Sequence, residues 1–493
     1  MNVLLISPLF PDSFWSFKHA MRFISKKAAE PPLGLITVSA MLPATWNKKL
    51  VDMNITALSD SDIQWADFVF ISAMQIQQHS VNRVIDDCLK YGVRIVAGGP
   101  LFTHDYQNYP MVDYLVLNEA EITLPLFLKD LREGTPRRIY KTDAFPDILQ
   151  TPVPDFHLLS RKNYASMSIQ ISRGCPFSCE FCGIASLNGH EVRSKSTQQI
   201  LAELETLYEL NWRGPVFIVD DNFIGNKKLI KHELLPAMKA WMTAYQHPFT
   251  FTTEASINMA DDKELLQLMA ETGFNSVFIG IETPEETSLI ECNKVQNKNR
   301  DLVQSIITIQ QAGLQVSGGF IVGFDNDSPS VFQRQIDLIQ QSGIVAAMVG
   351  LLNAPKHTRL YKRLEAENRL LKESSGNNTD LTMNFIPRMN YHELMNGYNK
   401  IIHDIYTTKP YYRRIRRLLL NYRPFNKKQS KITLAGLRAL VKSFFIIGVM
   451  NKGRRAYWKL LFWTLFTRPA LIVEAVTFSI YGYHFRKVYG LQG

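Results

Sequence analysis

Two parallel α/β sheets in series, closed by a mainly helical C-terminal domain, are what the sequence predicts. Three observations carry this. Short β-branched apolar runs alternate with stretches of helical period through residues 1–145; the same alternation restarts after a proline-rich linker; and it stops near residue 365. Strands buried on both faces and separated by helices form parallel sheets, because each crossover lays its helix over a sheet face.

In residues 1–145 the runs are "NVLLISP", "KKLVDMN", "DFVFISAM", "RIVAGGP" and "DYLVLNEAE", with helical stretches such as "LGLITVSAMLP" and "HSVNRVIDDCLKYG" between them. This predicts a doubly wound, Rossmann-like sheet, whose ligands bind beyond the strand carboxyl ends: Pro8–Phe17, Ser72–Gln78, Gly98–Thr103 and Asn118–Thr123. The apolar N-terminus lacks a basic leader and is cut by Pro8 and Pro11, so it predicts a first strand and not a signal peptide. Residues 146–165 read as a linker. Residues 166–365 hold six further strand–helix units, beginning at "SMSIQISRG" and ending at "VAAMVGLLN". A closed barrel of eight units takes about 250 residues, so these predict a partial (β/α)6 TIM-type barrel.

Residues 366–493 predict a helical domain rich in bases and aromatics. From Lys409 onward there are 18 Lys and Arg against a single acid, Glu474, a net of +17; residues 1–408 carry 37 bases against 44 acids, a net of −7. The excess positive charge is confined to the tail, which suits an anionic partner there. Lys459, Arg468 and Glu474 break up its last apolar segment, so no run of ~20 apolar residues predicts a membrane span.

Cys175, Cys179 and Cys182 stand as C-x-x-x-C-x-x-C in "SRGCPFSCEFCG", directly after the strand "SMSIQIS". Structural zinc closes with four Cys or His ligands; His190 is at hand as a fourth, but the spacing matches no common finger. A disulfide with a spare thiol suits an oxidising compartment, of which the five cysteines give no other sign. Soft thiolates suit iron–sulfur chemistry, and three of them hold a 4Fe–4S cluster with one iron open. Cys88 and Cys292 read as core residues.

With Phe181 before the last cysteine, this motif resembles the signature of the radical S-adenosylmethionine (SAM) superfamily. The resemblance implies that Cys175, Cys179 and Cys182 ligate the cluster and that SAM completes its open iron. An electron from a donor such as a ferredoxin or flavodoxin then yields a 5′-deoxyadenosyl radical. It further implies SAM contacts from Asp220, Asp221 and Asn222 after the second barrel strand, although an Asp there also suits a helix cap. Glu254 and Ser256 after the third strand and Glu282 after the fourth suit ribose or the sulfonium surroundings. The backbone around Gly319 and Val322 would bracket adenine. Arg193 and Lys195 suit the SAM carboxylate or, equally, a solvated basic turn.

A doubly wound domain ahead of such a barrel, with "PPLGLITVSAMLP", "VAGGP" and "LNEAE", resembles the cobalamin-binding class of that superfamily. Ser72, Gln75, His79, Gly98, Gly99 and Glu119 are its pocket candidates; for Gln75 and His79 a solvated helix start is the alternative. The D-x-H-x-x-G string that supplies a lower cobalt ligand is absent: "SPLFPDSFW" stands there, and the nearest string, "DFHLLS", leaves His157 as structural. Longer stretches, among them "PDSFWSFKHAMRFISKKAAEPPLGL", "VDDNFIGNK", "KVQNK" and "NFIPRMNYHELMNGYNKIIHDIY", resemble a subgroup with a helical C-terminal domain of uncharacterised role. That subgroup includes the hopanoid C-2 methylase and, more distantly, archaeal tetraether ring synthases. It implies a methyltransferase acting on an unactivated carbon of a lipid-like substrate, of isoprenoid or hopanoid type, in the cytoplasm or peripherally at the inner membrane face. A non-lipid substrate such as RNA or a natural product, and hydrogen abstraction or ring formation without methyl transfer, stay open beside it. No appended RNA-binding module points to nucleic acid.

Overall fold

The computed structural model describes residues 1–371, 375–377, 379–425 and 434–491. Residues 426–431 of the predicted basic segment lie outside the described residues. The first sheet comprises β1 (Asn2–Ser7), β2 (Asn47–Asp52), β3 (Phe68–Ser72), β4 (Arg94–Gly98), β5 (Tyr114–Val116) and β6 (Ile139–Tyr140), all parallel, in the order β2-β1-β3-β4-β5-β6. The first five coincide with the predicted runs; β6 is an edge of two residues, too short to show a pattern. Val3, Leu5, Phe68 and Phe70 pack on Leu35 and Phe127. Leu4, Ile6, Val69 and Ile71 pack on Val81, Ile85 and Leu101 from the other side. Alternate residues thus serve opposite cores, as a doubly wound sheet requires. Strand order reverses at β1, which opens a crevice beyond the carboxyl ends of β1 and β3.

The chain continues through β7 (Met167–Ile169), β8 (Ser172–Arg173), β9 (Arg193–Ser194), β10 (Pro215–Ile218), β11 (Thr250–Glu254), β12 (Phe274–Glu282), β13 (Gln315–Val322) and β14 (Ala347–Leu351). β8 and β9 form a two-residue antiparallel ribbon. The other six are parallel and neighbour one another in chain order, β7-β10-β11-β12-β13-β14. That is the order of the predicted six-unit series, with β7 and β14 as its edges.

The helices Tyr391–Tyr406 and Thr408–Asn421 share the core of this second sheet: Leu394, Ile401 and Ile415 pack with Val331, Phe332 and Ile339. A Cβ at Gly397 would sit 2.2 Å from the Phe332 ring, so glycine is what lets this contact close. Part of the tail's charge is internal. Arg414 and Arg486 are 0% and 3% exposed. Arg414 donates to the carbonyls of Ile405 (2.7 Å) and Val345 (3.3 Å). The sequence count of bases therefore overstates what the surface offers an anion. The final helix, Ile472–Val488, grips the insert after β1: Phe485 stacks on Phe14 at 4.3 Å, and His484 Nε2 donates to the Phe14 carbonyl at 3.0 Å. Among the described residues no helix is long and apolar enough to cross a membrane.

Candidate active site

The three cysteines occupy the loop between β8 and β9, which pair as Ser172 with Ser194 and Arg173 with Arg193. Gly174 turns the chain into the loop at φ +94°, and a Cβ there would lie 2.3 Å from the Glu191 carbonyl oxygen, so no other residue fits. The Cys175 N–H donates to Gly189 O at 3.3 Å and the Cys182 N–H to Cys179 O at 3.2 Å. All three thiols are free and half-buried. Burial pushes the Cys175 thiol up and that of Cys182 up to about 12. Among the described residues no three His, Cys, Asp or Glu side chains gather closely enough for a single metal ion. His190, the candidate fourth ligand, lies exposed. A Cβ on Gly183, beside Cys182, would meet nothing within 4 Å. Three soft thiols on one short loop fit a cluster held at three corners.

Residues 292–297 and the 360s clasp the loop from outside. Glu180 N–H donates to Cys292 O at 2.9 Å, Asn293 Nδ2 donates to Ser178 Oγ at 2.8 Å, and Arg363 Nε donates to Glu180 Oε1 at 2.7 Å. Lys294 Nζ donates to Glu282 Oε1 at 2.7 Å. Burial opposes the lysine's charge, but Glu282 and the thiols of Cys179 and Cys182 outweigh it and hold the ammonium above its ordinary value. Gly280 is small for this pair: a Cβ there would meet Glu282 Oε1 at 2.4 Å and Lys294 Nζ at 2.8 Å. Cys292 is core, 1% exposed, as is Cys88 at 0%.

The strand-end residues divide into framework and cavity wall. Asp220 is buried and accepts from Ile171 N–H (2.8 Å) and Ser172 Oγ (2.6 Å), so it pins the end of β10 to the start of β8. Its neighbour Asp221 accepts from Gly174 N–H (3.3 Å) and Asn188 Nδ2 (3.0 Å) and lines a cavity. Asn222 Oδ1 accepts from the N–H of Ser256 at 3.1 Å, tying two strand ends together. Val322 is buried and its carbonyl accepts from Leu352 N–H at 2.9 Å; Gly319 sits in β13, where a Cβ would meet the Phe278 ring at 2.9 Å. Phe181 is half-buried, 6.2 Å from Phe324. Burial, then the nearby Asp221 and Glu30, push Glu254 up to about 8; burial pushes Glu30 up to about 7.

Two adjoining cavities separate the sheets. One, of about 510 Å³, lies beyond β3, β4 and β5; Ser72, Gly98, Gly99 and Glu119 face Asp221 and Asn188 across it. The other, of about 650 Å³, lies beyond β1 and takes in Trp15, Glu30 and Ser168. They share Leu33, Gly34 and Ser72, and a Cβ on Gly34 would project into open space. Gln75 and His79 line neither cavity, and His79 is exposed; Gln77, buried one step along the same turn, lines the second and donates to Pro8 O. His157 is exposed in the linker. Arg193 and Lys195 are taken by protein carboxylates. Arg193 Nη2 is 2.6 Å from Glu119 Oε1, and Lys195 pairs with buried Glu203. Arg173 Nη1 is 2.6 Å from Glu119 Oε2, and its Nη2 is 2.8 Å from Glu121 Oε1. Arg173, Glu121, Lys294 and Glu30 are site residues that sequence reasoning did not single out; Arg173, inside "SRGC", and Glu121, inside "LNEAE", stood in segments that carried a local signal.

Residues 169–339 match the model of the radical SAM superfamily, and residues 358–491 match a domain of unknown function, DUF4070. The chain is 41% identical over 490 residues to an uncharacterized methyltransferase of Synechocystis sp., covering 98% of this chain and 91% of that one. It is 35% identical to the hopanoid C-2 methylase of Rhodopseudomonas palustris, over 76% of this chain and 72% of that one. Among solved structures it resembles the cobalamin-dependent S-adenosylmethionine radical enzyme OxsB, solved with aqua-cobalamin and SAM bound (TM-score 0.62, 14% identity, 95% of this chain and 79% of that one). It also resembles the radical SAM methyltransferase TsrM of Kitasatospora setae (TM-score 0.58, 13% identity, 76% and 77%).

Proposed function

Since the chain belongs to the radical SAM superfamily, among its methyltransferases, we propose that it uses a 4Fe–4S cluster, SAM and cobalamin to methylate an unactivated carbon of a lipid-like substrate of isoprenoid or hopanoid type. One observation carries the reading: Arg173, Ile184, Leu187 and Asn188, from the ribbon and loop that bear the cysteines, line the first cavity together with Ser72, Gly98 and Gly99 of the first sheet, and that cavity joins the second. When bound, the cluster with SAM supplies a carbon radical that takes hydrogen from an unactivated carbon, and cobalamin supplies the methyl group.

Cys175, Cys179 and Cys182 would hold the cluster, with Lys294 offsetting thiolate charge. Asp221 and Glu254 would receive the amino and hydroxyl groups of SAM. Ser72, the Gly98–Gly99 turn and Gly34 let a broad, flat ligand approach the first sheet. Trp15 stands with Phe10 and Phe14 in the wall of the second cavity, an apolar surface suited to an isoprenoid and to the exclusion of water. Five free cysteines suit a reducing cytoplasm with a ferredoxin or flavodoxin as electron donor. The lipid substrate class draws support from the 35% identity to a hopanoid methylase. Anaerobic reconstitution followed by cobalamin analysis of the isolated holoprotein tests the reading. The expected result is about one cobalamin retained per chain; a protein that holds the cluster, cleaves SAM and retains no cobalamin overturns methyl transfer.

A further inference from the structure

We propose that the helices Leu434–Ile446 and Arg454–Thr467, with the turn joining them, form a docking surface for an anionic lipid bilayer. Residues 434–467 hold six bases and no acid. They also hold ten of the 29 large apolar side chains exposed on the described chain, so the exposure is a patch and not a scatter. Four rings run in contact across the two helices: Phe445 to Phe444 at 5.2 Å, Phe444 to Trp458 at 5.2 Å and Trp458 to Phe462 at 5.8 Å. Phe466 is 82% exposed and Met450, in the turn, 73%.

This face is not the packing face of the helices. Ala439, Ser443, Ile447, Tyr457, Leu460 and Thr464 are buried, and Ser443 and Tyr457 share a hydrogen bond of 2.8 Å that locks the pair together. With the inward side already occupied, a water-facing side would carry polar residues; this one carries Val441, Phe445, Phe462 and Phe466. Around them Arg438, Lys452, Arg454, Arg455 and Lys459 are exposed. Apolar side chains ringed by bases and free of acids match the acyl boundary and headgroups of an anionic leaflet. A nucleic acid would use the bases and aromatics but gain nothing from exposed Leu437, Val441, Val449 and Leu465.

The surface adjoins the proposed substrate space. Lys442 Nζ donates to Arg22 O at 2.6 Å and lies 3.2 Å from Ser25 Oγ, in the insert whose Trp15 lines the second cavity. A lipid leaving the leaflet would meet that insert first. The surface stands apart from the methyl-transfer reading, because vesicle binding needs no turnover.

The test floats the full-length protein with phosphatidylcholine vesicles, with and without roughly 30 mol% phosphatidylglycerol, across a salt series. Binding to the anionic vesicles that weakens with salt is expected. Phe445→Ser with Phe466→Ser, and separately Arg455→Glu with Lys459→Glu, are each expected to lower the partition coefficient at least ~10-fold, the charge variant also flattening the salt dependence. Circular dichroism melts verify folding, and should the apolar pair misfold, the charge pair decides alone. The proposal is overturned if the protein ignores both vesicles, if it binds an RNA oligonucleotide in their place, or if the apolar pair only turns a dimer into a monomer and leaves vesicle binding unchanged.

Discussion

Arg173 Nη1 lies 2.6 Å from Glu119 Oε2, joining the residue two places ahead of the first cysteine to the far end of the first sheet. Arg193 takes the other oxygen of Glu119, and Glu121 takes the second nitrogen of Arg173. Burial raises the Glu121 carboxyl, but Arg173 outweighs it and holds the group below the ordinary carboxylate value. Two acids of one domain thus seat both strands of the ribbon that carries the cysteine loop.

Arg173→Ala removes the shared cation and strands Glu121. Deleting one partner of a buried pair costs about 3–5 kcal/mol, so the unfolding midpoint falls and iron per chain after reconstitution drops. Arg173→Lys keeps the charge but loses the fork, and recovers only part of the iron content.

Gly174→Ala forces a side chain to φ +94° against the Glu191 carbonyl. Strain of about 1–3 kcal/mol is expected at such a position. Because the strain sits at the mouth of the loop, cluster content measured by iron and sulfide analysis falls further than the melting temperature does. Equal cluster content in variant and parent would contradict this.

Lys294→Met leaves Glu282 buried without its cation and lowers stability by about 3–5 kcal/mol. Glu282→Leu combined with Lys294→Met is less destabilised than Lys294→Met alone, since no unpaired charge remains. Denaturant melts of the three variants read the comparison directly.

His484 is buried, and burial lowers its pKa to about 4, against a weaker opposing pull from its bond to the Phe14 carbonyl. The unfolded chain takes up this proton near pH 6.5 and the folded chain only near 4. The stability contribution is thus fully present above about 6.5 and lost as pH falls towards 4, by roughly 3 kcal/mol. His484→Phe flattens stability against pH in that window; an unchanged slope would refute the assignment.

Most strands of the two six-stranded sheets were legible as short apolar, β-branched runs closed by Gly, Pro or polar residues; the two-residue β6, β8 and β9 show no such pattern. Cys175, Cys179 and Cys182 were legible because their spacing is local. The seat was not: Glu119 lies 54 residues from Arg173 and 74 from Arg193, and nothing in either neighbourhood specifies the partner. Nor does "VDDN" reveal that Asp220 turns to the strand ends and Asp221 to the cavity, since adjacent side chains diverge and only the tertiary fold says which way. Arg193 carried a basic signal that suited a small-molecule carboxylate; the fold supplied a glutamate first.

The acids of that seat precede its bases in the chain, and this sets an order of events. A ribosome releases residues 119 and 121 before 173 and 193, and domains fold largely from the N-terminus during synthesis. The cysteine loop therefore emerges after the acids that seat it, and a nascent chain whose first sheet has failed to fold arrives at metal loading without the Glu119 and Glu121 side of the ribbon's seat.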